Sequence, residues 1–206
     1  MRSILEKDEK GIEEFKKDYE AYNKSLSTPL NKHGMTLLDF AVKHSDGSTV
    51  KFLVKDTNVN ILEHMDEDQL HPVHYASKDA RHHDKMCALL KIFPELINHQ
   101  CGKERKTPLH YAIEKDCHKN IDFLLKQANA DVTIVDTKCK NILHYIISKK
   151  SNAASKYKDI LKKILKHMTF KPSALSCNGG ETKSVIDYAV DKDCMIVLLE
   201  IGKSKS

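Results

Sequence analysis

Glycine is scarce in this chain of 206 residues, which contains only seven. A compact α/β enzyme of this length usually needs more, because its phosphate-binding and turn loops require residues that tolerate positive φ. The sequence also lacks the G-x-x-x-x-G-K-[ST], G-x-G-x-x-G and G-x-S-x-G motifs of nucleotide-binding loops and nucleophile elbows. These absences favour a helical fold without nucleotide chemistry, and the sequence predicts no catalytic residue.

Long apolar runs are absent as well. The longest, near residues 195–199, is far shorter than the ~20 residues of a bilayer-spanning helix, and no apolar signal segment opens the chain. The six cysteines are scattered without a C-x-x-C pair, which is typical of reduced thiols in a reducing compartment. We therefore expect a soluble protein of the cytoplasm or the nucleus, with no membrane insertion of this chain.

What the chain does contain is charge. Charged residues make up 31% of it and apolar residues 40%, and the mean hydropathy is −0.50. The charged fraction exceeds the ~25% that is typical of globular chains. This composition suits an elongated fold in which every unit keeps much of its surface in water.

One six-residue block recurs along the sequence. The blocks begin at positions 36, 71, 107, 141 and 184, and they read TLLDFA, HPVHYA, TPLHYA, NILHYI and SVIDYA. Successive starts are therefore 35, 36, 34 and 43 residues apart. About ten residues after each block a second apolar pattern follows, mostly with the 3–4 residue spacing of a helix that buries one stripe. Each unit is thus predicted to be a pair of helices.

The third block shows why its residues begin a helix. Thr107 can cap the helix by accepting a hydrogen bond from an early backbone N–H. Pro108 follows at the first helical position, where the missing N–H has no intrahelical partner to lose. Leu109 and Ala112 lie on one helix face, and the small Ala112 would let the paired helix approach closely.

A T-P-L-H-x-A block at a period near 33 residues resembles the ankyrin repeat. The resemblance implies an all-α solenoid of about five helix-pair repeats with short hairpin loops. We place the repeats at about 31–66, 67–101, 102–135, 136–179 and 180–202, followed by a tail at 203–206. Residues 1–30 are predicted to form an N-terminal capping helix, because Ile12, Phe15 and Tyr19 lie on one side of an otherwise polar segment.

The sequence also departs from the ankyrin pattern. Asp39 and Asp187 replace the histidine of the motif, and residues 148–155 resemble an insertion between the two helices of the fourth unit. The glycine that usually starts the block is kept at Gly34 but is replaced by Gln69 and Arg105 in the next two units.

Twelve histidines raise the question of a metal site. A zinc site needs four converging ligands, usually with cysteine pairs or an H-E-x-x-H helix, and the sequence shows no such set. The resemblance instead implies that His74, His110 and His144 form hydrogen bonds within the turns that link neighbouring repeats. We therefore predict neither a metal nor a cofactor.

Function follows from the same resemblance. It implies a protein–protein interaction module, an adaptor or inhibitor acting as a signalling scaffold, that binds a partner protein through its concave face and hairpin tips. Met35 and Leu70 are apolar where polar residues are expected, which marks them as candidate anchors. The predicted partner-binding residues are Met35, Lys43, His44, Leu70, Lys78, Lys106, Glu114, Lys115, Lys138, Lys140 and Lys149.

A basic stripe at Lys158, Lys162 and Lys166 follows in the fourth unit, at i, i+4 and i+8 of a predicted helix. One interpretation is a solvated helix face. The other is a docking site for an acidic or phosphorylated segment of a partner protein. Nucleic acid is not expected, because no aromatic residues alternate with these lysines to stack on bases.

Two other classes of protein remain open on the sequence. The chain could be the cytoplasmic ankyrin segment of a larger membrane protein such as an ankyrin-bearing TRP-type cation channel. It could also be a viral or secreted effector resembling the ankyrin inhibitors of NF-κB. The family resemblance also suggests Asn60 as a candidate for hydroxylation.

Overall fold

The computed structural model describes residues 30–31, 35–55, 69–149 and 154–167. Helices and turns make up this part of the chain, and the only β-type pairing within it is an isolated antiparallel bridge between Cys101 and Lys106. The predicted all-α class is therefore confirmed. The predicted capping helix, the fifth repeat, the tail, Gly34 and Asn60 lie outside the described residues.

The described helices come in consecutive pairs. They are α1 Leu37–His44 and α2 Gly47–Lys55, α3 Pro72–Ser77 and α4 His83–Ile92, α5 Pro108–Glu114 and α6 His118–Leu125, and α7 Ile142–Ile147 and α8 Ala154–His167. Two 3-10 turns, Ala80–His82 and Pro94–Asn98, flank α4. We call α1, α3, α5 and α7 the first helices, and α2, α4, α6 and α8 the second helices.

Each first helix begins at the second residue of its sequence block, and the first residue of the block is its N-terminal cap. Thr107 and Asn141 accept hydrogen bonds from backbone N–H groups of the first turn, and the third residue of each helix, His110 or His144, completes a capping box. Asp39 takes the place of this histidine in α1 and forms the same box with Thr36. Since a cap is worth about 1 kcal/mol, the repeated block fixes where each helix starts.

The first helices pack side by side along the chain, from α1 on α3 to α3 on α5 and α5 on α7. Among the second helices, α2 packs on α4 and α6 packs on α8. One continuous apolar cluster runs through all four described pairs, and its fully buried members include Leu38, Met86, Ile113 and Ile142. The stability of each helix pair therefore depends on its neighbours, as in other solenoids.

A residue with positive φ precedes three of the blocks by two positions. These residues are Gln69 (φ 58°), Arg105 (φ 50°) and Cys139 (φ 58°). The position corresponds to Gly34 in the first unit and to the glycine of the ankyrin pattern. The turn therefore keeps its left-handed backbone even where the chain carries a larger side chain, which costs about 1 kcal/mol at each such residue.

One sequence prediction is wrong. Leu70 is not an exposed anchor, since it is 4% exposed and packs with Cys101 and Tyr111 at the base of a hairpin. Lys106 is more buried than the other predicted partner-binding lysines, because its ammonium lies between two glutamates and its side chain is 7% exposed. Cys87, Cys101 and Cys117 are free thiols.

Candidate protein-binding face

Two buried histidines connect the first helices to the hairpins that follow them. His74 Nε2 lies 2.7 Å from the carbonyl oxygen of His99, and His110 Nε2 lies 3.3 Å from that of Lys140. A carbonyl only accepts hydrogen bonds, so both Nε2 atoms must donate. The predicted role of His74 and His110 in linking neighbouring repeats is confirmed.

The hydrogen bond from His110 to the carbonyl oxygen of Lys140 also determines the role of the other ring nitrogen, Nδ1. With Nε2 protonated, Nδ1 is an acceptor, and it receives the Thr107 hydroxyl at 2.8 Å. Burial lowers the pKa of His110 to about 4. The ring therefore stays neutral near pH 7 and holds Lys140 at the edge of the surface described next.

A groove of about 430 Å³ opens between the third and fourth repeats. It lies beside α5, α7 and the hairpin tips that precede them. Four lysines, two glutamates, a histidine, a tyrosine and a serine line it: Glu104, Lys106, Glu114, Lys138, Lys140, His144, Tyr145, Ser148 and Lys149. With four ammonium groups against two carboxylates, the lining is positively charged.

Ion pairs order the charged groups of this groove. The Lys106 ammonium lies 2.5 Å from Glu104 and 2.6 Å from Glu114, and Lys138 also contacts Glu104. The hydrogen bonds from Lys106 and then Lys138 lower the pKa of Glu104 to about 2. Glu104 is therefore ionised throughout the physiological range.

Lys149 is anchored on the other wall. Its ammonium lies 2.7 Å from the carbonyl oxygen of Glu114 and 3.0 Å from the carboxylate of Asp116. Burial alone would raise the pKa of Asp116, but hydrogen bonds from Tyr157 and Lys149 outweigh it and lower that pKa. The position of Lys149 is thus set by the third repeat as well as by its own.

A column of aromatic residues runs along the first helices beside the groove. Its members occupy the fifth position of each block: Phe40, Tyr75, Tyr111 and Tyr145. A lysine ammonium lies over each tyrosine ring: Lys43 over Tyr75 at 5.1 Å, Lys78 over Tyr111 at 5.0 Å, and Lys106 over Tyr145 at 5.2 Å. These distances fall within the range of cation–π attraction.

The aromatic column was not among the predicted binding residues. The signal was present in the sequence, because an aromatic residue stands at the same place in every block. What the pattern does not show is that Lys43 and Lys78 reach the ring of the next repeat, since that contact depends on how the repeats stack.

The structure brings some predicted binding residues together and leaves others apart. Lys106, Glu114, Lys138, Lys140 and Lys149 all line the groove. Lys43 and Lys78 lie half-buried on the tyrosine rings, and His44 and Lys115 are exposed. Met35 is half-buried, in a turn where its carbonyl oxygen accepts a hydrogen bond from the N–H of Leu30 at 2.6 Å.

The predicted basic stripe lies on α8. The three positions 158, 162 and 166 fall within this helix, which buries Tyr157, Leu161 and Ile164. Lys162 is exposed. The side chains of Lys158 and Lys166 lie outside the described residues.

Several histidine side chains lie close together elsewhere in the described residues. No group of three or more His, Cys, Asp or Glu residues has the geometry to hold a metal ion within the part of the chain that the structure covers. The rings of His71, His74 and His99 pack at centroid distances of 5.5 to 5.9 Å. Within the described part of the chain, no helix is long and apolar enough to cross a membrane.

Paired helices, capped at a fixed interval and linked by buried histidines, define a solenoid repeat protein. Residues 38–136 match the family model described as ankyrin repeats (3 copies). Residues 38–136 are therefore ankyrin repeats, and members of this family generally act as non-catalytic modules for binding other proteins. No curated protein sequence matches the chain closely enough to count as a relative.

Solved structures with the same fold share little sequence with this chain. The ankyrin repeat domain of Bcl-3, described as a unique member of the IkappaB family, superposes with a TM-score of 0.76 at 18% identity, covering 98% of this chain and 83% of that one. The ankyrin repeat protein EF0377 gives 0.72 at 20% identity over 93% and 91% of the two chains. A chain from the complex of the predatory endopeptidase Bd0816 of Bdellovibrio bacteriovorus with immunity protein Bd3460 gives 0.62 at 17% identity over 91% and 90%.

Proposed function

We propose that the chain is an adaptor or inhibitor, without enzymatic activity, that binds an acidic or phosphorylated segment of a partner protein. The site is the groove between the third and fourth repeats. The observation that carries the proposal is the placement of Lys138, Lys140 and Lys149 around a groove that also contains Lys106. Opposite charge on a partner would be attracted to this surface and oriented on it.

The lysines are held before any partner arrives. Lys138 contacts Glu104, and Lys149 contacts Asp116 and the backbone of α5. Immobilising a free lysine on binding costs about 0.5–1.5 kcal/mol. Side chains that are already ordered avoid part of that cost, so a groove of modest size can still bind usefully.

Beyond the groove, we propose that the contact surface continues along the first helices. Lys43 and Lys78 stand over the tyrosine rings of the next repeat, and the exposed His44 and Lys115 follow the same row. Met35 would then contribute at the end of the row. A partner segment would cross successive repeats, each providing a basic side chain.

Charge reversal tests the proposal. In a fluorescence anisotropy titration with a labelled oligo-glutamate peptide, we expect the double variant Lys140→Glu/Lys149→Glu to weaken binding at least about tenfold at low salt, because two favourable charge contacts become repulsive. The control is Lys119→Glu/Lys126→Glu, which makes the same change of charge at two exposed positions, one in α6 and one at its C-terminal cap. Equal weakening in both variants would reject the groove as the site.

The basic stripe of α8 is a rival surface for the same kind of partner. The triple variant Lys158→Glu/Lys162→Glu/Lys166→Glu should leave the peptide affinity unchanged, apart from a non-specific charge effect, if the stripe is only a solvated helix face. A larger loss of peptide affinity than in the groove variant would show that the peptide binds at α8.

A location in the cytoplasm or nucleus is part of this proposal. Disulfides persist in oxidising compartments, so a disulfide at Cys139 in the native protein would instead favour a secreted effector. Mass spectrometry of protein alkylated directly in its native cells separates the two. A free thiol at Cys139 supports the resident adaptor, whereas an alkylation-resistant Cys139 supports the effector.

A further inference from the structure

One carboxylate already sits among the lysines of the groove. Glu104, at the tip of the third-repeat hairpin, contacts Lys106 through Oε2 at 2.5 Å and Lys138 through Oε1. Its two oxygens therefore each meet a different ammonium group. The side chain of Glu104 is 36% exposed and that of Lys138 is 62% exposed, so this arrangement lies at the mouth of the groove.

We infer that Glu104 is an internal competitor, whose carboxylate occupies the place that an aspartate or glutamate side chain of the partner takes on binding. The inference rests on the proposed function and goes further, because it assigns one chain residue to the unbound state of the site. Lysine donates as a compact point charge with rotatable N–H groups. It can therefore receive a partner carboxylate in place of one from its own chain.

Only the side chain of Glu104 has to move for this exchange. The backbone is fixed, because the carbonyl oxygen of Glu104 accepts a hydrogen bond from the N–H of Thr137 at 3.0 Å. Lys106 keeps its second partner, Glu114 at 2.6 Å, when Glu104 leaves. The buried ammonium is thus never without a counter-charge, which would be strongly unfavourable.

The arrangement fits a carboxylate better than a phosphate. The position is already filled by a two-oxygen acid that bridges two lysines. No arginine lines the groove among the described residues, although arginine is the side chain that binds phosphate with two parallel hydrogen bonds. We therefore assign the site to the acidic side chains of a protein segment.

The test is removal of the competing charge. Glu104→Gln keeps the shape of the side chain, and we expect it to bind a labelled oligo-glutamate peptide about two- to fivefold more tightly than the unmodified chain, in line with the strength of exposed ion pairs. The matched control is Asp122→Asn, which changes the net charge equally. Asp122 pairs with Lys163 at 2.5 Å on the second helices instead of in the groove.

The outcomes separate this inference from the function on which it depends. Tighter binding by Glu104→Gln than by Asp122→Asn supports internal competition. Equal or weaker binding by Glu104→Gln, with normal binding by the unmodified chain, overturns the competition and leaves the proposed function in place. If the unmodified chain does not bind the peptide at all, both fail. If a phosphoserine peptide of the same length binds well while oligo-glutamate does not, the assignment to carboxylates is wrong.

Discussion

The second and third repeats form the same hydrogen bond to the hairpin that follows them, but they differ in the residues around it. In both, a buried histidine donates Nε2–H to a carbonyl of the following hairpin. In the third repeat Thr107 also gives its hydroxyl to Nδ1 of His110. In the second repeat His71 stands in place of that threonine, and Nδ1 of His74 is buried with no hydrogen-bond partner among the described residues.

This difference shows which part of the motif determines the fold and which part adds stability. The link from the histidine to the next hairpin is common to both repeats, so it suffices to stack them. The threonine satisfies one more polar atom, and a buried polar atom left without a partner costs about 1–3 kcal/mol. The second repeat should therefore be the less stable of the two.

The contact between the two repeats is broken most severely by Gly102→Ala. Gly102 has φ 74°, and a Cβ there would lie 2.6 Å from the Tyr111 hydroxyl and 3.2 Å from Leu70. We expect a loss of about 3 kcal/mol in the free energy of unfolding, measured by urea denaturation, from overpacking and backbone strain. Lys103→Ala, exposed in the same turn, should change it by less than about 0.5 kcal/mol, and a similar loss in both would contradict the explanation.

Thr107→Val narrows the difference between the repeats. It removes the hydroxyl donor to Nδ1 of His110, which keeps only the backbone N–H of Thr107 at 3.3 Å, and it removes the side-chain cap of α5. We expect a loss of about 2 kcal/mol by chemical denaturation. Thr133→Val is the control, because its hydroxyl bonds Asp131 at an exposed site; if it costs as much, the role given to Thr107 is wrong.

Acid should weaken both repeats through their buried histidines. Burial holds the pKa of His74 well below its ordinary value and that of His110 at about 4. A lowered folded-state pKa means that the unfolded chain binds more protons, so this stability is complete above pH 6.5 and is lost as the pH falls toward 4. For His110 the loss between pH 7 and pH 5 is about 2 kcal/mol.

His110→Gln isolates that contribution. The variant is less stable at pH 7, but its unfolding free energy should fall less steeply between pH 7 and pH 5. The carboxylate of Glu104 does not interfere, because its effect on stability falls between its ordinary pKa of 4.5 and its folded-state pKa of about 2, below pH 5. An unchanged slope in the variant would show that His110 does not titrate as a buried group.

The smallest expected effect is an increase in the free energy of unfolding. Arg105 adopts φ 50° at the position where the ankyrin pattern has glycine, so Arg105→Gly should raise the free energy of unfolding by about 1 kcal/mol. Lys103→Gly, in the same tip but without positive φ, should lower it by about 0.5 kcal/mol because glycine adds freedom to the unfolded chain. A loss of stability in Arg105→Gly would contradict the strain at this turn.

The sequence predicted the helix starts well because their signal is local. The block starts at 36, 71, 107 and 141 coincide with the capping residues of α1, α3, α5 and α7. Burial was harder to predict, because it depends on contacts between hairpins. Leu70 is covered by Tyr111 of the next repeat, and Lys106 is enclosed by Glu114, which is eight positions away along the chain.

Part of the groove was also predictable from local signals in the sequence. Lys138, Lys140 and Lys149 were recognised because their positions in the repeat are those of hairpin tips and helix ends. The role of Glu104 was not, because its contact with Lys138 spans 34 residues. Only the stacking of the two hairpins brings these charges together.

The most direct test of the account is a map of backbone amide chemical shifts during titration with an oligo-glutamate peptide. The account predicts that the largest changes fall on the hairpin tips and on α7, at Lys138, Lys140 and Lys149, and that they vanish in Glu-substituted variants of these lysines. Changes concentrated on α8 around Lys162, or on the second helices, would contradict it.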